Sequence, residues 1–199
     1  MNVLIILGHP DNNSFNHALA ETCITQIQNN GHSVYFHDLY KEQFNPLLGE
    51  CNNSTNELEI AEDIKNHYFD LINSDGIIII HPNWWGQPPA IVKGWIDRVL
   101  IPDVAYQFVK DERGEDFPKG LLKAKIGLVL NTSNTSKDIE DKLYKDPLET
   151  IWEKRIFNFC GVSQFERRNF RVVKDSNMSQ RLNWLAEVRL LMDSYFPKA

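Results

Sequence analysis

At 199 residues the chain is long enough for one well-packed domain, and 42% hydrophobic with 24% charged residues is an ordinary globular balance. A formal net charge of −6 leaves no basic field for a nucleic acid partner. No apolar run reaches the length of a membrane span, and the three scattered cysteines (Cys23, Cys51, Cys160) contain no C-x-x-C, so neither an embedded protein nor a disulfide or zinc framework is expected.

A strand begins almost at the first residue, which leaves no place for a signal peptide, and the expected location is cytoplasmic. Residues 3–7, Val-Leu-Ile-Ile-Leu, form this first buried strand. It runs into Gly8-His9-Pro10-Asp11-Asn12-Asn13-Ser14-Phe15-Asn16, a loop rich in turn formers and hydrogen-bonding side chains. Leu19, Cys23 and Ile27 then predict one face of a helix closed by Asn29-Asn30-Gly31, with Cys23 a small core residue. Residues 33–38 predict a second strand, and the short β-α-β unit implies a right-handed parallel crossover. Residues 41–57 read as polar and irregular; a helix near 57–73 turns Ala61, Ile64, Tyr68 and Leu71 inward.

Residues 76–80, Gly-Ile-Ile-Ile-Ile, lack polar alternation, as a strand covered on both faces does. After His81-Pro82-Asn83-Trp84-Trp85-Gly86-Gln87, Pro88-Pro89 opens a helix with apolar residues at 91, 92, 95, 96, 99 and 100, which Ile101-Pro102 closes. Residues 103–123 are expected to be a long excursion without regular structure, carrying Tyr106 and Phe108; such loops serve a function or a partner. A fourth strand at 125–130 stops at Asn131-Thr132-Ser133-Asn134-Thr135-Ser136. A helix at 147–159, a strand at 165–172 and an amphipathic helix at 178–195 complete one domain over 1–199. The alternation predicts an α/β fold, a doubly wound five-stranded parallel sheet of flavodoxin-like order 2-1-3-4-5.

In that order the loops after strands one, three and four surround the switch point, where a flavin sits. His9, Ser14 and Asn16 stand at a helix N-terminus suited to phosphate. Trp84 and Trp85 offer a wall for a flat ring, and the loop after strand four offers hydroxyls and amides for a ring edge. No G-x-G-x-x-G or P-loop occurs, so NAD(P)H would bind over the flavin and leave after transfer. His81, ending a buried strand, suits a structural or a site role equally; no Ser/His/Asp set and no metal-ligand cluster is read from the spacing.

Taken together, Gly8-His9-Pro10 with Ser14-Phe15-Asn16, Asp38-Leu39-Tyr40 with Phe44-Asn45-Pro46, Pro82 and Trp85, Pro89-Ala90-Ile91 with Lys93-Gly94-Trp95, Arg98-Val99, Ala105-Tyr106 and Phe159-Cys160-Gly161 form an ordered pattern. In this pattern the chain resembles the flavodoxin-like NAD(P)H:quinone oxidoreductases, which include animal quinone reductases and bacterial relatives ancillary to potassium-efflux channels. The resemblance implies a homodimer with a flavin, FMN or FAD, at each of two interface sites. It implies that His9, Ser14, Phe15 and Asn16 hold the flavin phosphates. Pro82, Asn83, Trp84, Trp85 and Gly86 would line the isoalloxazine, with Asn131, Thr132 and Ser133 at its pyrimidine edge. Trp85, with Tyr106 and Phe108 from the other subunit, would wall the substrate site, with no acid or base assigned. The chain departs from the animal members in three places. Ser133-Asn134 replaces two glycines, Gly86 replaces an aromatic, and no histidine follows His81, with Tyr144 as stand-in for their tyrosine. The expected function is hydride passage from NAD(P)H by way of flavin N5 to a quinone-like acceptor. The alternative is a non-catalytic flavin-binding regulator of a membrane channel or another partner; a one-electron carrier is disfavoured by the roofed, tryptophan-rich site.

Overall fold

A computed structural model describes residues 1–48 and 62–199. Five parallel strands make the central sheet: β1 (Asn2–Leu7), β2 (Ser33–Asp38), β3 (Gly76–Pro82), β6 (Ile126–Ser133) and β7 (Gln164–Arg171). Their spatial order is β2-β1-β3-β6-β7, the doubly wound order 2-1-3-4-5 expected when the five are counted along the chain. β3 and β6 are buried at every residue, which is why neither shows polar alternation.

Period-two alternation sorts these strands onto two cores. Leu4, Ile6, Ile77, Ile79 and Val129 face α2 (Lys65–Asn73), α3 (Ala90–Val99) and the helical stretch begun by α5 (Pro147–Thr150). Val3, Ile5, Leu7, Ile78, Ile80, Leu128 and Leu130 face α1 (Phe15–Asn29) and α6 (Met178–Tyr195). Leu19, Cys23 and Ile27 are buried as expected, and α6 has the expected bounds. Residues 57–61, Ala61 and Cys51 lie outside the described residues; the described part of that helix begins with a 3₁₀ turn, Glu62–Ile64, and buries Ile64, His67 and Leu71.

Three expectations are corrected. The excursion at 103–123 is not irregular: β4 (Tyr106–Lys110) and β5 (Asp116–Gly120) pair antiparallel as a separate ribbon. Its turn is held by Asp111, whose Oδ1 accepts from the N–H groups of Arg113 at 2.8 Å and Glu115 at 2.9 Å. Such side-chain turn chemistry lies within a charged run that hides any strand alternation. Second, β6 continues through Asn131, Thr132 and Ser133, because Asn131 and Thr132 pair with His81 and Pro82 of an equally extended β3. Third, the stretch after β6 contains α4 (Lys137–Ile139), continued by a π-helical turn, Glu140–Tyr144, that the polar sequence did not reveal.

The ribbon docks by close backbone approach. A Cβ on Gly120 would stand 2.2 Å from the carbonyl carbon of Cys160, so only glycine fits there. Tyr106 packs edge-on against Phe159 with centroids 4.7 Å apart, while Phe108 and Phe117 remain exposed. Among the described residues no helix is long and apolar enough to cross a membrane.

Candidate flavin site

The carboxyl ends of β1, β3 and β6 open onto one cavity of about 920 Å³. Gly8 lets β1 end there: a Cβ would lie 2.2 Å from Val92 Cγ2 on α3. Eleven of the expected residues line the cavity: His9, Ser14, Phe15, Asn16, Pro82, Asn83, Trp84, Trp85, Gly86, Thr132 and Ser133.

Asn131 does not. It is fully buried: its Nδ2 donates to His81 Nε2 at 3.0 Å and to the His81 carbonyl at 3.1 Å, and its Oδ1 accepts from Arg167 Nε at 2.7 Å. With its amide committed to the core, its side chain cannot serve a ligand edge, and the expected contact is withdrawn. Tyr106 and Phe108 also lie away from the cavity of their own chain, on the ribbon. His81 is structural: Trp152 Nε1, which can only donate, lies 3.0 Å from His81 Nε2, so Nδ1 carries the proton and donates to the Pro82 carbonyl at 2.8 Å.

At the head of α1, Ser14 caps the helix and leaves the N–H groups of Phe15 and Asn16 without intrahelical acceptors. His9 Nδ1 accepts from the Asp11 N–H at 3.1 Å, so Nε2 carries the remaining proton. Burial, helped by the charge of nearby His17, holds the His9 pKa below the ordinary imidazole range despite its contact with Asp11. Asn16 Nδ2 donates to Thr132 Oγ1 at 2.9 Å, tying the α1 loop to the end of β6.

The tryptophan loop is a tight hairpin. Trp84 and Gln87 exchange backbone bonds of 3.1 and 3.0 Å around Trp85 and Gly86, whose φ values are +57° and +72°. Two successive positive φ angles are those of a type I′ turn, which asks for Asn-Gly and receives Trp-Gly. Asn83 Oδ1 steadies it by accepting from the Gly86 N–H at 2.9 Å. The turn leaves Trp85 at 101% relative exposure, while Trp84 stands 6.2 Å from the His9 ring. A bulky residue held in the left-handed region at a cavity mouth stores strain where a ligand or partner would use the ring.

The spacing missed several lining groups. Glu140, Leu143, Tyr144 and Pro147 come from the helical stretch after β6, Lys174 from the connection after β7 and Arg181 from the first turns of α6. The last two follow a strand's carboxyl end, a signal open to a reader of sequence; Glu140 faces the site only through the π-helical turn. Two polar assemblies were also missed. Ser14, His17 and Asp38 form a hydrogen-bonded line. His37, Glu42 and His67 cluster tightly, with His37 Nδ1 3.1 Å from Glu42 Oε1 and Nε2 2.9 Å from Asp70 Oδ2. Trp95 Nε1 donates to His67 Nδ1 at 3.3 Å, leaving the His67 Nε2–H for Glu42, so this cluster reads as a proton-bearing ion-pair group rather than a metal centre.

The residues fit a flavin nucleotide. Helix N–H groups supply anion donors, the hydroxyls of Ser14, Thr132 and Ser133 add hydrogen-bonding groups, indoles flank the opening, and the volume holds a three-ring ligand.

A family model described as flavodoxin-like fold matches residues 1–187. An uncharacterized NAD(P)H oxidoreductase of Haemophilus influenzae is 39% identical over 171 residues, 83% of this chain and 81% of that protein. NAD(P)H dehydrogenase [quinone] 1 of Rattus norvegicus is 29% identical over 82% of this chain but 66% of its own length. Among solved structures, Smu.1420 from Streptococcus mutans is 27% identical with a TM-score of 0.78, covering 98% of this chain and all of that one. The NAD(P)H:quinone oxidoreductase from Methanothermobacter marburgensis has a TM-score of 0.79 at 22% identity, over 96% of each chain, and shares the fold.

Proposed function

The chain belongs to the flavodoxin-like fold family, and we propose that it passes a hydride from NAD(P)H, by way of a flavin held in this cavity, to a quinone-like acceptor. The observation that carries the reading is the convergence of a helix N-terminus, the indole hairpin and the polar end of β6 on one cavity. When bound, the flavin supplies the chemistry of accepting a hydride and handing it on in a second half-reaction.

The residues bind, orient and exclude water. Ser14, His9 and the N–H groups of Phe15 and Asn16 would hold the phosphate. Asn83, Trp84 and the Trp85-Gly86 turn would flank the ring, and Thr132 and Ser133 would meet its polar edge. No side chain is needed as acid or base, so substitutions weaken binding more than they abolish chemistry. Lys174 and Arg181 bring positive charge to the same cavity. The second phosphate of FAD would use them and FMN would not, so the nucleotide released on heating decides between the two.

The second wall of the substrate site comes from another copy of the chain. Tyr106 and Phe108 are absent from the cavity of their own chain, and a two-stranded ribbon with exposed Phe108 and Phe117 is only marginally stable alone. A homodimer would bury these rings and roof Trp85.

The test is an anaerobic visible spectrum of the flavin-reconstituted protein before and after one equivalent of NADPH, then NADH. Rapid bleaching is expected and ranks the donors. Bound flavin that neither donor bleaches would favour the non-catalytic regulator, and no flavin binding would overturn the site.

A further inference from the structure

Behind Ser14, His17 and Asp38 have no task in the function just described. Ser14 Oγ lies 2.9 Å from His17 Nδ1, and His17 Nε2 lies 3.1 Å from Asp38 Oδ2. Asp38 is buried at the end of β2, and its other oxygen accepts from the Lys41 N–H at 3.1 Å. Ser14 lines the cavity; His17 and Asp38 stand behind it. Among the described residues, the titratable groups facing His17 are Asp38 from β2 and His9 from the loop after β1, whose ring centroid is 6.4 Å away.

The donor inventory sets where the protons sit. A carboxylate only accepts, so His17 Nε2 carries a proton toward Asp38. In a neutral ring Nδ1 is then bare, and the Ser14 hydroxyl donates to it. A hydroxyl so engaged presents only lone pairs to the cavity and repels a phosphate oxygen. For Ser14 to donate to a phosphate and keep its 2.9 Å contact with the ring, Nδ1 must instead donate to Ser14 Oγ, which requires an imidazolium.

We infer that a phosphate at Ser14 is bound together with one proton, taken from solvent onto His17 Nδ1, with the Asp38 carboxylate holding the charged ring. His17 is thus a positioning residue: it turns Ser14 from acceptor to donor without touching the ligand. This rests on the flavin reading and adds a proton linkage to it.

The test is calorimetric titration of the apoprotein with FMN and with riboflavin at pH 8, in two buffers of different ionisation heat. FMN binding takes up about one proton, and riboflavin, which lacks the phosphate, close to none. FMN affinity accordingly falls as pH rises above 8, and riboflavin affinity does not. In His17→Asn an amide N–H stands where Nδ1 was and donates without protonation; this variant binds FMN with close to zero uptake and a flat profile. Equal uptake in wild type and variant assigns the proton to the ligand's own phosphate and overturns the inference. If the variant does not fold, the wild-type difference between FMN and riboflavin decides, and no difference overturns it. FMN bound without uptake sinks the linkage alone; no binding of either flavin sinks the cofactor reading and the linkage with it.

Discussion

Trp152 Nε1 donates to His81 Nε2 across 3.0 Å, joining the helical stretch after α5 to the end of β3. The contact holds His81 as a neutral ring with its proton on Nδ1. Burial pushes its pKa down to about 4, with the charge of Arg167 acting the same way against the Pro82 hydrogen bond. His67 is likewise held down to about 3, first by burial and then by the charge of His37.

Both rings make stability depend on pH. The unfolded chain binds these protons near the ordinary value of about 6.5, whereas the native chain does not until far lower pH. Stability is therefore lost as pH falls below about 6.5. His37 has the opposite sign: burial opposes its charge, but Glu42 and Asp70 outweigh it and raise the pKa. Its contribution is fully present below the ordinary value and lost as pH rises through the raised one. The two deeply lowered rings against the one raised ring predict a net loss of about 3 kcal/mol between pH 7 and pH 5, and the lowered His9 acts in the same direction. Urea unfolding at the two pH values measures it, and His67→Gln should flatten the dependence.

Asn131 separates stability from binding. Asn131→Ala strips Arg167 Nε of its acceptor and His81 of a donor inside the core. We expect a loss of about 2–3 kcal/mol in urea unfolding, with FMN affinity changed by less than about threefold. A large affinity loss in a stable variant would return Asn131 to the binding site.

At Trp85 the two quantities should move apart. The ring is fully exposed and its backbone left-handed, so Trp85→Asn relieves about 1 kcal/mol of strain at no cost in burial within the chain. Thermal unfolding of the apoprotein should rise, while flavin retention and NAD(P)H turnover fall. Unchanged flavin loading and turnover would remove Trp85 from the site.

The ribbon is tested by association. Phe108→Ser with Phe117→Ser removes two exposed rings that make no part of the core clusters. Wild type should sediment as a dimer and the double variant as a monomer with unchanged far-UV circular dichroism, an association weakened about a hundredfold or more.

The sequence by itself determined the sheet. The apolar runs at 3–7 and 76–80, the helical faces at 19-23-27 and 91–100 and the amphipathic 178–195 stretch are local periodic signals, and the parallel order follows from the short crossovers. It also named most of the cavity lining, because strand ends and helix starts are marked by Gly8, Ser14, Pro82 and Pro88. Only the tertiary structure decided which polar groups serve the cavity and which the core. Asn131 and Thr132 are neighbours in one strand, yet alternation sends the first inward to His81 and Arg167 and the second to Asn16 and the ligand face. Ser14, His17 and Asp38 meet because β2 pairs in parallel beside β1 and ends level with it, with Asp38 opposite Leu7. That proximity is made by the pairing of strands and leaves no periodic trace along the chain.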